Sequence, residues 1–140
     1  MIAKRDGKAR AMLKHANLYC TEARIAILQT LLGAARPLRQ DQIAPRLAKR
    51  AVNKVTVYRT LESLIAVGLV HRAFTQDRAW YFELADRCSD KQCHPHFTCT
   101  NCGITHCLTE ASVPIVRIAD KGFVISRQQV RLEGLCPACA

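Results

Sequence analysis

Four cysteines in two pairs carry the strongest chemical signal of the chain: Cys99-Thr100-Asn101-Cys102 and Cys136-Pro137-Ala138-Cys139. A gap of two residues lets both thiolates of a pair point at one ion. Two such knuckles complete a tetrahedral four-cysteine shell of the kind that holds structural Zn2+. Gly103 directly follows the first knuckle, where a tight backbone turn is needed. Four protein ligands leave no open coordination position, so the ion expected here is structural and supplies folding free energy to its domain. A second set of metal-ligating types then remains: His71, Cys88, Cys93, His94, His96, His106 and Cys107. In an extended segment His94 and His96 point to the same side, because strand side chains alternate with a period of two; the pair can chelate one ion. Mixed imidazole and thiolate ligation favours Zn2+ over hard-ligand metals such as Mn2+. His71 also reads as a plain surface histidine, and Cys93, His106 and Cys107 as bystanders.

Composition supports metal over disulfides. The chain has 140 residues and eight cysteines, enough length for one domain or two small ones. The basic start is not followed by an apolar stretch, so no secretory signal is expected. No run approaches the roughly 20 apolar residues of a membrane span. A cytoplasmic protein is expected, with reduced thiols free to bind metal. The net charge is +10, and its placement is uneven. Residues 1–75 hold 14 Lys/Arg against 4 Asp/Glu, whereas residues 76–140 hold 7 against 7. Seven of the eight cysteines lie in the second part. Two modules are implied, the basic one a candidate for a polyanion such as DNA; a solvated basic surface is the plain alternative. An enzyme is not expected. A catalytic zinc needs an open position and usually a nearby carboxylate base, and residues 88–107 offer Asp90 only. There is no nucleophile elbow or glycine-rich phosphate loop, and no small-molecule substrate is implied.

The elements that must position these residues follow from periodicity. Residues 8–19 predict a short amphipathic helix. Thr21 caps a second helix over 22–32, with Ile25, Leu28 and Leu32 on one face and Gly33 closing it. A third helix is expected over 39–49, where Pro45 is tolerated only near the first turn, so that it starts late or is kinked. Asn53 caps a fourth, running to about Val67 and stopped by Gly68. Val57, Leu61, Leu64 and Ile65 form its apolar arc. Thr56, Arg59, Thr60 and Ser63 form an opposite polar stripe that suits a major groove. Extended runs 69–75 and 78–84 flank a turn at Gln76-Asp77. Helices followed by a hairpin make a winged helix-turn-helix over 1–84. A hinge over 85–96 and a metal-binding domain over 97–140 follow, the latter with strands near 97–99 and 104–108, a helix over 111–120 and a last strand over 123–132. The fold class is α+β: an N-terminal winged helix-turn-helix plus a small C-terminal α/β domain with a four-cysteine zinc site. A second metal site drawing on His71 in the wing, Cys88 in the linker and the His94/His96 pair would join the modules and act as a switch.

The run Thr56-Val57-Tyr58-Arg59-Thr60-Leu61, the run from His94 through Gly103, and the closing Cys136-Pro137-Ala138-Cys139 resemble the ferric uptake regulator (Fur) family over nearly the whole chain. Its zinc uptake regulator (Zur) branch is the nearest in pattern. The resemblance implies a homodimer whose C-terminal domains pair and whose winged helices read an inverted-repeat operator in double-stranded DNA; metal-bound protein represses, apo protein releases. It implies two Zn2+ per chain, one structural and one regulatory. It assigns His71, Cys88, His94 and His96 to the regulatory ion, with Cys107 as alternative, since some members place an acidic ligand at that position. Iron and peroxide sensors of the family take a histidine just before the third helix, where this chain has Pro37, and a linker carboxylate, where it has Cys88. Both departures favour zinc over iron, manganese, nickel or peroxide sensing. On the DNA side the resemblance points to Tyr58 and Arg59, and to Arg24 on phosphates; with Thr56 and Asn53 these make the DNA-contact set.

Overall fold

The computed structural model describes residues 1–34, 36–85, 92–119 and 122–140. The chain forms two compact units, Met1–Ala85 and Asp86–Ala140.

The first unit is built from α1 (Ile2–His15), α2 (Glu22–Gly33), β1 (Leu38–Arg39), α3 (Gln40–Leu47), a 3-10 turn (Ala48–Arg50), α4 (Lys54–Ala66), β2 (Val70–Gln76) and β3 (Ala79–Leu84). The strands form an antiparallel sheet in the order β1-β3-β2. Leu13 of α1, Ile27 and Leu28 of α2, Ile43 and Leu47 of α3, Val57, Leu61 and Leu64 of α4, and Val70 and Phe82 of the wing are buried together as one core. α1, α3 and α4 contribute stripes spaced at three or four residues, whereas α2 buries Ile25, Ala26, Ile27 and Leu28 in succession together with Leu31, so it is enclosed on more than the single face expected and Leu32 is only half-buried.

Caps set the helix limits. Thr21 Oγ1 accepts the Arg24 N–H at the start of α2, and Asn53 Oδ1 accepts the Thr56 N–H at the start of α4. α4 ends where Gly68 takes φ +76°, a left-handed conformation, and the Leu69 N–H returns to the Leu64 carbonyl at 3.0 Å. The first helix spans Ile2–His15 rather than 8–19. Asn17, at φ 58°, stops it: the Leu18 N–H reaches the Leu13 carbonyl and the Asn17 N–H the Lys14 carbonyl. Asparagine is one of the few residues that enter this conformation at low cost. α3 runs through Pro45 and ends two residues later, tightening into the 3-10 turn. The hairpin turn is shifted by one residue from expectation. Asp77 and Arg78 both take positive φ, and β2 carries a bulge between Arg72 and Phe74.

The second unit contains β4 (His96–Cys99), β5 (Thr105–Cys107) and β6 (Arg131–Gly134) in the order β5-β4-β6. β4 is antiparallel to β5 and parallel to β6. A Cβ at Gly134 would stand 3.3 Å from the Phe97 ring, so only glycine lets β6 lie under it without a shift. The helix expected over 111–120 is not formed in its described part, 111–119. Val113, Pro114, Ile115, Val116 and Ile118 give that stretch low helix propensity, and its exposure leaves no packing to override it. The last strand is confined to Arg131–Gly134 instead of 123–132. Ahead of it the Gln128 side chain holds the 114–116 segment, accepting the Val116 N–H at 2.8 Å and donating to the Pro114 carbonyl at 3.0 Å. Among the described residues, no helix is long and apolar enough to cross a membrane.

Candidate metal centres and nucleic-acid interface

The two knuckles meet at the end of the β5-β4-β6 sheet. Cys99 is the last residue of β4. Gly103, at φ +73°, turns the first knuckle back so that its N–H bonds the Cys99 carbonyl at 2.9 Å. Cys136 follows β6, and the Cys139 N–H closes the second knuckle on the Cys136 carbonyl at 2.9 Å. The sulfurs of Cys99, Cys102, Cys136 and Cys139 all lie within 4.8 Å of one another, with Cys102 Sγ 3.9 Å from Cys136 Sγ. All four are free thiols. A tetrahedron with Zn–S bonds of about 2.3 Å has S···S edges of roughly 3.8 Å, so the spacing fits this ion.

The electrostatics favour an anionic sulfur at Cys99 and oppose one at Cys102. The backbone N–H groups of Cys102 and Cys136 lie 3.5 and 3.4 Å from Cys99 Sγ and pull its thiol down from 9.0 to about 6. For Cys102 the Ile104 N–H acts in the same direction, but the sulfurs of Cys99, Cys136 and Cys139, together with burial, outweigh it and push the thiol up to about 11. Clustered thiols cannot all ionise without a cation among them, and a divalent ion supplies that charge.

A second cluster lies on another part of the same sheet. His94, His96 and Cys107 bring one ligand atom each within 4.8 Å of the others. Cross-strand register places His96 opposite Cys107. The His94 and His96 rings are 4.7 Å apart between centroids. The two residues treated as alternatives, His94 and Cys107, thus stand together beside His96. His106 pairs with Phe97, one register step away and so on the other face of the sheet; its buried Nε2 has no hydrogen-bond partner among the described residues. Cys93 Sγ is 3.5 Å from His94 Nδ1. The expectation of reduced thiols throughout fails at Cys93, which is disulfide-bonded. Cys88 lies outside the described residues.

In the first unit, His71 is buried in β2 and its Nε2 is 2.9 Å from Glu83 Oε1 across the hairpin. Sequence reasoning does not single out Glu83. The irregular register of β2 and β3 sets it opposite His71, and a bulge leaves little trace in residue order.

The exposed face of α4 is the candidate nucleic-acid interface. Tyr58 is 51% exposed, and Lys54, Val55 and Arg59 are exposed beside it. The polar stripe is rotated from the one expected. Thr60 is buried, and its carbonyl accepts the Ser63 hydroxyl; Tyr58, placed at the edge of the apolar arc, is open to solvent. Asn53 and Thr56 are joined by the cap. Arg24 donates to the Tyr19 carbonyl at 3.0 Å, bracing the α1–α2 connection.

Comparison with known proteins gives a consistent result. The Transcriptional regulator FurA of Mycobacterium bovis and that of Mycobacterium tuberculosis are each 28% identical over 134 residues, covering 91% of this chain and 87% of the relative. Among solved structures, the ferric uptake regulator of Pseudomonas aeruginosa with manganese is 25% identical, with a TM-score of 0.60 over 92% of this chain and 98% of that one. A zinc uptake regulator complexed with zinc and DNA is 21% identical, with a TM-score of 0.66 over 99% and 94%. The model of the Ferric uptake regulator family matches residues 15–132. With a winged helix-turn-helix, a second domain ending in paired cysteine knuckles and a family match over most of its length, the chain belongs to the ferric uptake regulator family of metal-responsive transcription regulators.

Proposed function

We propose that this protein is a zinc-responsive, DNA-binding repressor that acts as a homodimer on an inverted-repeat operator and controls zinc-homeostasis genes. One structural Zn2+ is held by Cys99, Cys102, Cys136 and Cys139. One regulatory Zn2+ is held, in protein whose Cys88 and Cys93 are reduced, by His71, Cys88, His94 and His96, with Cys107 as alternative. The observation that carries the choice of metal is the donor set of the second unit's cluster. His94, His96 and Cys107 are two imidazoles and a thiol, a soft, mixed set that suits zinc better than hard-ligand metals. The regulatory set draws on wing, linker and metal domain, so loading it restricts the linker and thereby the placement of two reading heads over two half-sites. Tyr58 and Arg59 contact the duplex; Thr56, Asn53 and Arg24 complete the DNA-contact set.

Zinc counting with a gel shift tests this. Purified protein is expected to hold two zinc ions per chain, one removed by mild chelation. Operator binding should vanish with the exchangeable ion and return with Zn2+, and not with Mn2+. His94→Ala/Cys107→Ser protein should keep the tight ion and lose the response. A second reading, iron or manganese sensing, is favoured by the 25% identical regulator solved with manganese. Iron in the purified protein, with binding lost on peroxide treatment, would overturn the zinc reading.

A further inference from the structure

Within the first unit a groove of about 490 Å³ lies beside the reading helix, lined from α4 by Lys54 and Tyr58 and from the wing by Arg72, Arg78 and Trp80. Trp80 is the one tryptophan of the chain. Along β3, Phe82 and Trp80 share a face because side chains alternate. Phe82 is 5% exposed under the helices, whereas Trp80 is 46% exposed nearer the hairpin tip. Its ring is nonetheless held: the Arg72 guanidinium stands 5.7 Å over it, and Arg72 is itself ion-paired with Glu62 of α4. The groove's carboxylate, Asp41, is neutralised by Arg39 at 3.0 Å. Lys54 and Arg78 have no acidic partner among the described residues. Two open aromatic rings flanked by two unneutralised cations match alternating sugar and phosphate, and the groove is continuous with Tyr58 on the reading face.

We infer that this groove is a second seat for duplex DNA, in which the Trp80 ring lies against deoxyribose and Arg78 and Lys54 take the flanking phosphates. The inference rests on the DNA-binding reading above and adds the wing to it. Such contacts set affinity and register rather than sequence.

The single tryptophan makes the test direct. Zinc-loaded protein is titrated at low salt with a 25-base-pair duplex of random sequence, followed in parallel by Trp80 emission and by gel shift (length chosen as about 2.5 helical turns). The emission should change and saturate with the gel-shift isotherm. Trp80→Ala should weaken duplex binding about tenfold, as truncation of an interfacial tryptophan does. Arg78→Gln, at an exposed position, should reduce the slope of log affinity against log salt by about one; both variants should keep their zinc. If the duplex shifts in the gel while emission, affinity and salt slope are all unmoved, the groove is not a DNA seat and the DNA-binding reading survives. If no duplex shifts the wild-type protein, both are lost. Emission that responds to free nucleotide and not to duplex overturns the inference in favour of a small-ligand pocket.

Discussion

Cys99 and Cys102 are three residues apart and share one cluster, yet their thiols are displaced in opposite directions, to about 6 and about 11. The cause is positional. Cys99 sits where two backbone N–H groups converge on its sulfur, and Cys102 sits among the sulfurs. For metal-stripped protein this predicts a stability maximum. Cys99 has a folded value below its ordinary 9.0, so its contribution is present above about 9 and is lost as pH falls toward 6. Cys102 has a folded value above 9.0, so its contribution is present below about 9 and is lost as pH rises toward 11. Chelator-treated protein should therefore be most resistant to urea near pH 9, weakening on either side. Urea midpoints from pH 6 to 11 check this; a flat profile would mean that the two sulfurs are not coupled as described. Zinc-loaded protein should lose the acid-side slope down to the pH at which the ion is released, because the metal already holds both sulfurs as thiolates.

At the scale of elements, Asn53 separates two roles that its position allows. Its Oδ1 caps α4 at 2.8 Å from the Thr56 N–H, and it belongs to the proposed DNA-contact set. As a cap, Asn53→Ala should cost about 1 kcal/mol of stability, and Asn53→Ser should restore most of it. If Asn53 also touches DNA, the serine variant will be stable yet weaker in operator binding; thermal melts and gel shifts on both variants divide the roles. Leu64→Ala, a truncation in the fully buried arc of the same helix, should cost about 2–5 kcal/mol and melt the reading head without direct effect on the knuckles. The legibility of such elements in the sequence follows the strength of their local signals. Thr21, Asn53 and Gly68 mark helix ends because capping is local chemistry. The knuckles are legible because a two-residue gap and a following glycine are local as well. The bulge at Arg72–Phe74 is not, and with it goes the pairing of His71 with Glu83. The stretch over 111–119 reads as helix by its aliphatic content, but the isolated chain offers it no surface to pack on. The exposed face of α4 departs from expectation in the same way: whether Thr60 or Tyr58 turns outward depends on which neighbours fill the core.

At the scale of the whole molecule, the two units are stabilised by different means. The first buries an aliphatic core drawn from four helices and the wing. Among the described residues of the second, the buried apolar residues are Cys93, Cys99 and Cys136 with Pro95. A unit this small with so little aliphatic burial needs another source of stability. The sulfur cluster offers one through metal binding. A second copy of the chain would provide another, for Val116, Phe123, Val124 and Leu135 are 59%, 70%, 89% and 54% exposed. Apolar side chains left open in a unit with so little core are candidates for burial against a second copy, and a pairing domain is what an inverted-repeat reader requires. We predict that the zinc-loaded protein sediments as a dimer and that Phe123→Glu/Val124→Glu protein sediments as a monomer. The monomer should retain its tightly held zinc, because neither residue belongs to a knuckle. Its affinity for a two-half-site operator should collapse toward that for a single half-site, since two linked heads gain from effective concentration and one does not. A wild-type protein that is monomeric with zinc bound, and that still prefers two half-sites to one, would show that these side chains serve some other purpose.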